Sequence, residues 1–423
     1  MVGAYHVLVT IGGFVWEHHR LLELAFLAAV LVSTVWNLRA AHILGLHDVE
    51  PGGEPGGLDA PVDAGATSGG VATADAPALP RVSVLVPARD EERTIGRCVE
   101  SLLAQEYPDF EVLVLDDEST DTTAAVVAAL ARRSDRLRLI RGRPLPAGWL
   151  GKVWACHQLS EEADGELLLF TDADTWHHPR AVRDAVAELL SERADLVTGL
   201  PRQENETVAE RVVVPVIAWA TLAVMPLWLA QRVRWSFLAV GLGQLLLFRR
   251  GAYRAIGGHA AIRAEVVDDM ALARRVKAAG GRWRFVDASR RISCRMYSDR
   301  QGVIEGLTKN IFPALGCNLT LAAVVFIFVG AAYLEPFVVL GMGAAGGSVD
   351  SSTLVWALVS IILALASWVV IARRGRLGAL QPFLYPVTMA GVLFIGIRSV
   401  VVTLRGRATW KGRSLVHEDE PAL

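Results

Sequence analysis

Residues 351–372 (SSTLVWALVSIILALASWVVIA) carry no charged side chain. A helix of that length, rising 1.5 Å per residue, covers the roughly 30 Å of a bilayer's hydrocarbon core. Further uncharged runs lie at 212–231, 310–334 and 377–397, and the run at 21–38 contains a single acid, Glu23. An ordinary water-soluble domain does not accommodate so many. Yet 20% of the chain is charged, too much for a purely embedded bundle, so the sequence predicts membrane helices joined to a water-facing domain. The stretch before 21–38 lacks the basic cluster of a secretory signal and no small-residue cleavage site follows promptly, so 1–45 reads as an N-terminal membrane anchor. Residues 46–80 hold no lysine or arginine and are dense in Gly, Pro and Ala. Such a stretch cannot bury a core and reads as a flexible acidic linker.

With 42 Lys and Arg against 44 Asp and Glu, the net charge is −2, and no global field favours nucleic acid as a partner. Cys98, Cys156, Cys294 and Cys317 lie far apart with no CxxC, so neither a zinc framework nor a disulfide framework is expected.

From 81 to 309 the pattern changes. RVSVLVPARDEE, FEVLVLDDEST, GELLLFTDAD and ADLVTGLP are short apolar runs, and amphipathic stretches such as TIGRCVESLLAQ and TTAAVVAALARR lie between the first three. That alternation implies right-handed βαβ units and an α/β domain with a mostly parallel, Rossmann-like sheet. Ligands of such sheets bind beyond the carboxyl ends of the strands. The acids fall there: Asp90 and Glu91, Asp116 and Asp117, Asp172 and Asp174. Asp172 and Asp174, about 6 Å apart, would repel by roughly 3 kcal/mol at an effective dielectric near 20, and an anionic diphosphate would add to the repulsion. A hard divalent cation, Mg2+ or Mn2+, bridging carboxylate and phosphate oxygens would offset it. A capped turn ahead of Pro179 would need only one aspartate.

These segments resemble a family 2 glycosyltransferase of GT-A fold over roughly 81–310. VSVLVPARDEERTIGRCVESLLAQEYPDFEVLVLDDESTDTT resembles the family's nucleotide-binding opening, TDAD its metal motif and VVDDMALARRVKAAG its catalytic-base motif. The resemblance implies that Pro87, Ala88, Glu91 and Asp117 line the base and ribose of a nucleotide-diphosphate sugar. It places Asp172 near the ribose and metal, and Asp174 on the metal. Asp90 stands where the family often has Asn and reads equally as a helix cap; Asp121 reads as a cap. In PAGWLGKVWACHQL, Lys152 opens a helix, where a cation opposes the dipole unless it serves an anion. Likeness to members with a Gly-Lys element implies that Lys152 holds the donor diphosphate. Asp268 and Asp269 open an amphipathic helix, where acids suit the dipole; the resemblance makes Asp269, beside Asp268, the general base that takes the acceptor's hydroxyl proton. One base implies inversion, since retention would need a second nucleophile.

QRVRW (231–235) matches the QxxRW motif of processive synthases but precedes Asp269 instead of following it, so it reads as a basic, aromatic interface flank. EGLTKN (305–310) and TWKGR (409–413) resemble elements of lipid-directed relatives. His177 and His178 read as solvated turn residues. A single crossing by 212–231 would put Asp174 and Asp269 on opposite faces of the membrane, so that segment, broken at Pro215 and Pro226, is expected to be interfacial or re-entrant. Nucleotide sugars are cytosolic, which places 81–309 in the cytoplasm and the N-terminus outside. Residues 310–404 are expected as C-terminal membrane helices and 405–423 as a basic-then-acidic tail. Arg373, Arg374 and Arg376 before 377–397 and Arg405, Arg407, Lys411 and Arg413 after it both favour the cytoplasmic side. Either 377–397 is re-entrant or 337–345 helps to add a crossing. The expected protein is a multi-pass plasma-membrane enzyme moving a sugar onto a hydroxylated membrane lipid, resembling bacterial carotenoid- and hopanoid-associated members. Its rivals are a processive polysaccharide synthase and a non-catalytic membrane scaffold.

Overall fold

The computed structural model describes residues 2–45 and 79–415, with side chains from His18 onward. The expected linker, apart from Leu79 and Pro80, lies outside the described residues, as do 416–423 of the tail. The chain divides into two compact units, His42–Arg202 with Ala239–Cys294, and Met1–Ala41 with Gln203–Leu238 and Arg295–Leu423.

The first of these is an α/β unit. Its strands are β1 (His42–Ile43), β2 (Val82–Ala88), β3 (Phe110–Asp116), β4 (Leu137–Arg141), β5 (Leu167–Phe170), β6 (Thr175–His177) and β7 (Leu196–Leu200). After β8 (Arg202–Gln203), at whose second residue the other unit resumes, come β9 (Leu246–Arg249), β10 (Trp283–Asp287) and β11 (Ile292–Cys294). Eight of them form one sheet in the order β1-β10-β7-β9-β5-β2-β3-β4. Every pairing is parallel except those of β9, which runs antiparallel to both β5 and β7. The mostly parallel α/β sheet expected from the alternation is therefore the one observed. All of β3 and β5 and nearly all of β2 are buried, because helices cover both faces of a parallel sheet; this is why these strands read as continuous apolar runs. The register pairs Ala88 with Asp116 and Leu85 with Phe170, which brings the acid-bearing ends of β2, β3 and β5 to one edge.

His177 differs from its expectation as a solvated turn residue. It lies on β6, paired with Ile292 of β11, and is buried. Burial pushes the imidazoles of His177 and His259 down to about 3. A histidine whose folded value lies below its ordinary 6.5 stabilises the fold fully above that pH; the stability drains away as pH falls from about 6.5 toward 3, because the unfolded chain takes up protons the folded one refuses. The full-length protein should therefore melt at a lower temperature at pH 5 than at pH 7, and His177→Gln should flatten that slope. An unchanged slope would reject the assignment.

Among the described residues, the second unit has four helices long and apolar enough to cross a membrane, at His18–Ala40, Leu319–Ala344, Ser351–Arg374 and Gln381–Leu404. The run at 212–231 is not one of them. It breaks into short helices, Val208–Val213, Val216–Trp219 and Leu227–Ala230, around a π-turn at Ala220–Val224. Proline cannot donate to the preceding turn, and the backbone oxygens freed near Pro226 are met by buried Asn37: its Nδ2 donates to Leu222 O at 2.9 Å and to Met225 O at 2.6 Å, and its Oδ1 accepts from Trp228 N at 3.1 Å.

Contacts within this unit fix the helix directions. The helix Val2–Ala40 runs parallel to Ser351–Arg374: Arg20 Nη1 donates to Thr353 Oγ1 at 2.6 Å near one end, and Arg374 Nη2 to Ala41 O at 3.2 Å at the other. It runs antiparallel to Leu319–Ala344, with Phe26 against Phe328 at 4.9 Å between ring centroids and His19 Nε2 3.6 Å from Glu335 Oε1. The helix Tyr385–Leu404 starts beside Tyr333 and Phe337, at centroid distances of 6.1 and 5.8 Å. It then returns along Leu319–Ala344, its Gly396 packed so tightly on Phe326 that a Cβ would come within 2.7 Å of the ring. Ser399 Oγ accepts from Phe312 N at 3.0 Å and donates to Thr308 O at 2.5 Å. Beyond it, the hairpin of β12 (Thr409–Trp410) and β13 (Arg413–Ser414) sets Trp410 4.1 Å from Lys309 Nζ. Ala41, Arg374, Lys309 and the hairpin thus share one end of the unit.

Candidate active site

The loops after β2 and β3 interlock. Asp117 N donates to Ala88 O at 2.8 Å, and Arg89 Nη1 to Asp117 O at 2.5 Å. Asp90 has φ of 50°, a left-handed conformation that aspartate tolerates better than most residues. Its Oδ1 accepts from Thr120 N at 2.7 Å. It ties the two loops together and does not cap the next helix, whose first backbone donors, Thr94 N and Ile95 N, go to Glu91 O. Glu91 N donates to Thr123 Oγ1 at 2.7 Å. Asp121 Oδ1 accepts from Thr123 N at 2.9 Å, a capping contact at the start of Thr123–Ala131. Pro87 and Ala88, the last residues of β2, and Glu91 and Asp117, on the two tied loops, therefore lie at the ends of adjacent strands.

A second cluster forms past the end of β5. Asp172 Oδ1 lies 2.7 Å from Lys152 Nζ, and Asp172 Oδ2 accepts from Gln244 Nε2 at 3.0 Å. Lys152 Nζ also lies 3.8 Å from buried Asp268 Oδ1. Asp269 Oδ2 accepts from Gly243 N at 3.0 Å, and its Oδ1 from Met270 N at 2.7 Å. One turn, 241–244, thus holds both Asp172 and Asp269. A Cβ on Gly243 would come within 2.8 Å of Asp172 Oδ2 and 3.0 Å of Lys152 Nζ, so any larger residue there would have to displace this ion pair. Asp174, half-buried, follows on the loop between β5 and β6.

Burial pushes the Asp269 carboxyl up to about 7; the neighbouring Asp268 carboxylate adds to the rise, and Lys152 opposes it. Burial alone would lower Lys152, but the carboxylates of Asp172 and Asp268 overturn that and raise it well above the ordinary lysine value. The ammonium is therefore a fixed positive charge between the TDAD and VVDD motifs. The repulsion inferred at TDAD is met, in this chain, first by Lys152. Reasoning from sequence brought out Lys152, Asp172, Asp268 and Asp269 but missed Gly241, Gly243 and Gln244. The signal available was the pair of glycines in GLGQ between two apolar runs.

Residues 83–269 match the family model of glycosyl transferase family 2. This segment is a family 2 glycosyltransferase domain. The probable glycosyltransferase YdaM of Bacillus subtilis is 30% identical over 185 residues, 43% of this chain and 43% of that protein. The β-monoglucosyldiacylglycerol synthase of Nostoc sp. is 39% identical over 98 residues, 23% of this chain and 20% of that one. The chain thus spans less than half the length of these relatives. A solved mannosyltransferase, PcManGT from Pyrobaculum calidifontis in complex with GDP-Man and Mn2+, aligns over 93% of this chain and 99% of its own at 18% identity, with a TM-score of 0.47. The matched segment of the family 2 domain takes in both clusters, from the strand bearing Pro87 to Asp269.

Proposed function

We propose that this chain is a metal-dependent, inverting glycosyltransferase that moves a sugar from a nucleotide diphosphate onto the hydroxyl of a membrane lipid. The observation that carries the reading is the shared turn 241–244, which holds Asp172 through Gln244 and Asp269 through Gly243. A donor-side carboxylate and a base-like carboxyl near 7 then face one site, as direct displacement requires. Pro87, Ala88, Glu91 and Asp117 bind the nucleoside, and Lys152 neutralises the diphosphate. Asp269 takes the proton of the acceptor hydroxyl while that oxygen attacks the anomeric carbon opposite the departing diphosphate, which inverts the centre. Asp268, joined to Lys152, positions the base. Asp172 and Asp174 offer hard oxygen donors, and Asp172 already faces a cation in Lys152, so this pair fits Mg2+ or Mn2+. When bound, such an ion supplies neutralisation of the leaving diphosphate. Asp174→Ala should weaken nucleotide-sugar binding roughly tenfold, about 1.4 kcal/mol, and abolish its response to added Mn2+. Calorimetric titration that found the metal response intact would remove Asp174 from the site.

The diacylglycerol-directed relative supports a lipid acceptor, as do exposed Trp235 and Phe237, stacked at 5.8 Å beside Arg232 and Arg234. Membranes incubated with a panel of labelled nucleotide sugars should yield a labelled lipid; label appearing only in polymer would favour the processive synthase.

We keep the domain plan expected from the sequence: an anchor at 1–45, a linker at 46–80, a catalytic domain at 81–309 with its interfacial segment 212–231, membrane helices at 310–404 and a tail at 405–423. We place the catalytic domain in the cytoplasm, with three crossings at His18–Ala40, Leu319–Ala344 and Ser351–Arg374. The helix Tyr385–Leu404 starts deep beside Tyr333 and returns, so it is re-entrant and the C-terminus is cytoplasmic. Arg39, Arg374, Arg405, Arg407, Lys411 and Arg413 then share the positive-inside face. A tag placed after residue 415 should react only from the cytoplasm, and Gly347→Cys only from outside. A tag labelled from outside would make Tyr385–Leu404 a fourth crossing.

A further inference from the structure

The span His18–Ala40 of the anchor helix carries one acid, Glu23, and the fold buries it: the residue is 1% exposed, and its Oε2 has no hydrogen-bond partner. A carboxylate buried in an apolar bundle persists only beside a compensating charge or a proton, and an ionisable group inside a membrane segment marks a site by default. His19 precedes it by four residues, hence on the same helical face. Glu335 comes from the facing antiparallel helix, its Oε1 3.6 Å from His19 Nε2. Ligand atoms of His19, Glu23 and Glu335 all lie within 4.8 Å of one another.

We propose that His19, Glu23 and Glu335 form a zinc site joining the helices Val2–Ala40 and Leu319–Ala344, at the end of the unit opposite Ala41. Glu and His side chains projecting inward from facing helices are how helix bundles build metal centres. Zinc bonds of about 2.0–2.2 Å set neighbouring ligand atoms roughly 3.4 Å apart in a tetrahedron, so a contraction of up to about 1.4 Å closes the triad on an ion. Two carboxylates and a neutral imidazole leave two negative charges, which a divalent cation cancels. Arg20 offsets only part of that charge: its guanidinium turns to Thr353 Oγ1 at 2.6 Å and to the Trp356 ring at 5.4 Å. An imidazole with only two carboxylates suits zinc better than Mg2+ or Ca2+, which need six or more oxygens. The side chains of His19 and Glu335 are 28% and 36% exposed, which gives the ion an entry path and leaves a fourth position for water.

The site is independent of the transfer reaction, and its test separates the two. Full-length protein in lipid nanodiscs, stripped with chelator and titrated with ZnCl2 alone, should bind about one zinc per chain, measured by elemental analysis, and should melt at a higher temperature with zinc than without. Glu23→Gln and Glu335→Gln should each weaken binding at least roughly tenfold and lose the melting shift, with circular dichroism verifying their fold. Asp174→Ala should bind zinc here as the wild type does. Wild-type protein that takes up no more zinc than Glu23→Gln would overturn the proposal and leave a proton shared by Glu23 and Glu335 as the neutralising charge.

Discussion

Asp269→Asn should leave nucleotide-sugar binding nearly unchanged and cut the transfer rate by roughly 10²–10⁴-fold, the usual yield of a positioned general base. Asparagine keeps the volume of the side chain, and its carbonyl oxygen can still accept from Gly243 N or Met270 N, the two donors that orient Asp269. What disappears is the capacity to accept a proton. The pH profile gives an independent reading. Burial, and then the adjacent Asp268 carboxylate, push Asp269 up to about 7. A base works in its deprotonated form, so the wild-type rate should climb about tenfold per pH unit below 7 and level off above it; the residual rate of the variant should lack that limb. Wild-type turnover in Asp269→Asn would remove the base assignment, and an equal loss in donor affinity would make Asp269 a binding residue.

The parts of the site legible in the sequence were those where local pattern and position coincide. Strands β2, β3 and β5 are buried runs ending in acids, and a parallel sheet brings such ends together, so the pattern alone places Asp117 and Asp172 at one edge. Lys152 announced itself by opening a helix with the wrong charge, although its contacts with Asp172 and Asp268 could not be read. The turn 241–244 stayed hidden for a physical reason. Its contacts reach Asp172 and Asp269 across 72 and 26 residues of chain, and β9, which carries it, is a four-residue antiparallel strand inserted between β5 and β7. LLLF after GLGQ looks like any buried run, and periodicity does not report direction. The helix Tyr385–Leu404 posed the same difficulty: its length permits a crossing, and only its contacts with Tyr333, Phe326 and Thr308 give its direction along Leu319–Ala344. The prolines at 215 and 226, by contrast, act locally, and the breaks they cause in 212–231 were visible from the start.

Gly241→Ala should be the most damaging single methyl group that can be added to the catalytic domain. A Cβ at Gly241 would stand 2.1 Å from Asp269 O and 2.5 Å from its carbonyl carbon. Both atoms are backbone, so no rotamer change relieves the clash; either the turn 241–244 or the start of the helix Asp268–Ala278 must move. Overpacking of this kind costs about 1–3 kcal/mol of stability. The loss of function should be larger in proportion, because the same turn fixes Asp269 through Gly243 N and Asp172 through Gln244. A displacement of about 1 Å between reacting groups costs roughly 10²-fold in rate, so kcat/KM should fall about a hundredfold with only a modest drop in melting temperature. Gln244→Ala, which removes one hydrogen bond to Asp172 and moves no backbone, should fall between this variant and the wild type. Gly251→Ala is the control: its Cβ meets nothing within 4 Å, and in the helix Arg250–Ala255 alanine is favoured over glycine, so it should be neutral or slightly stabilising. Gly241→Ala matching Gly251→Ala in both rate and melting temperature would mean that the turn does not couple the two carboxylates, and the shared-site reading would fall with it.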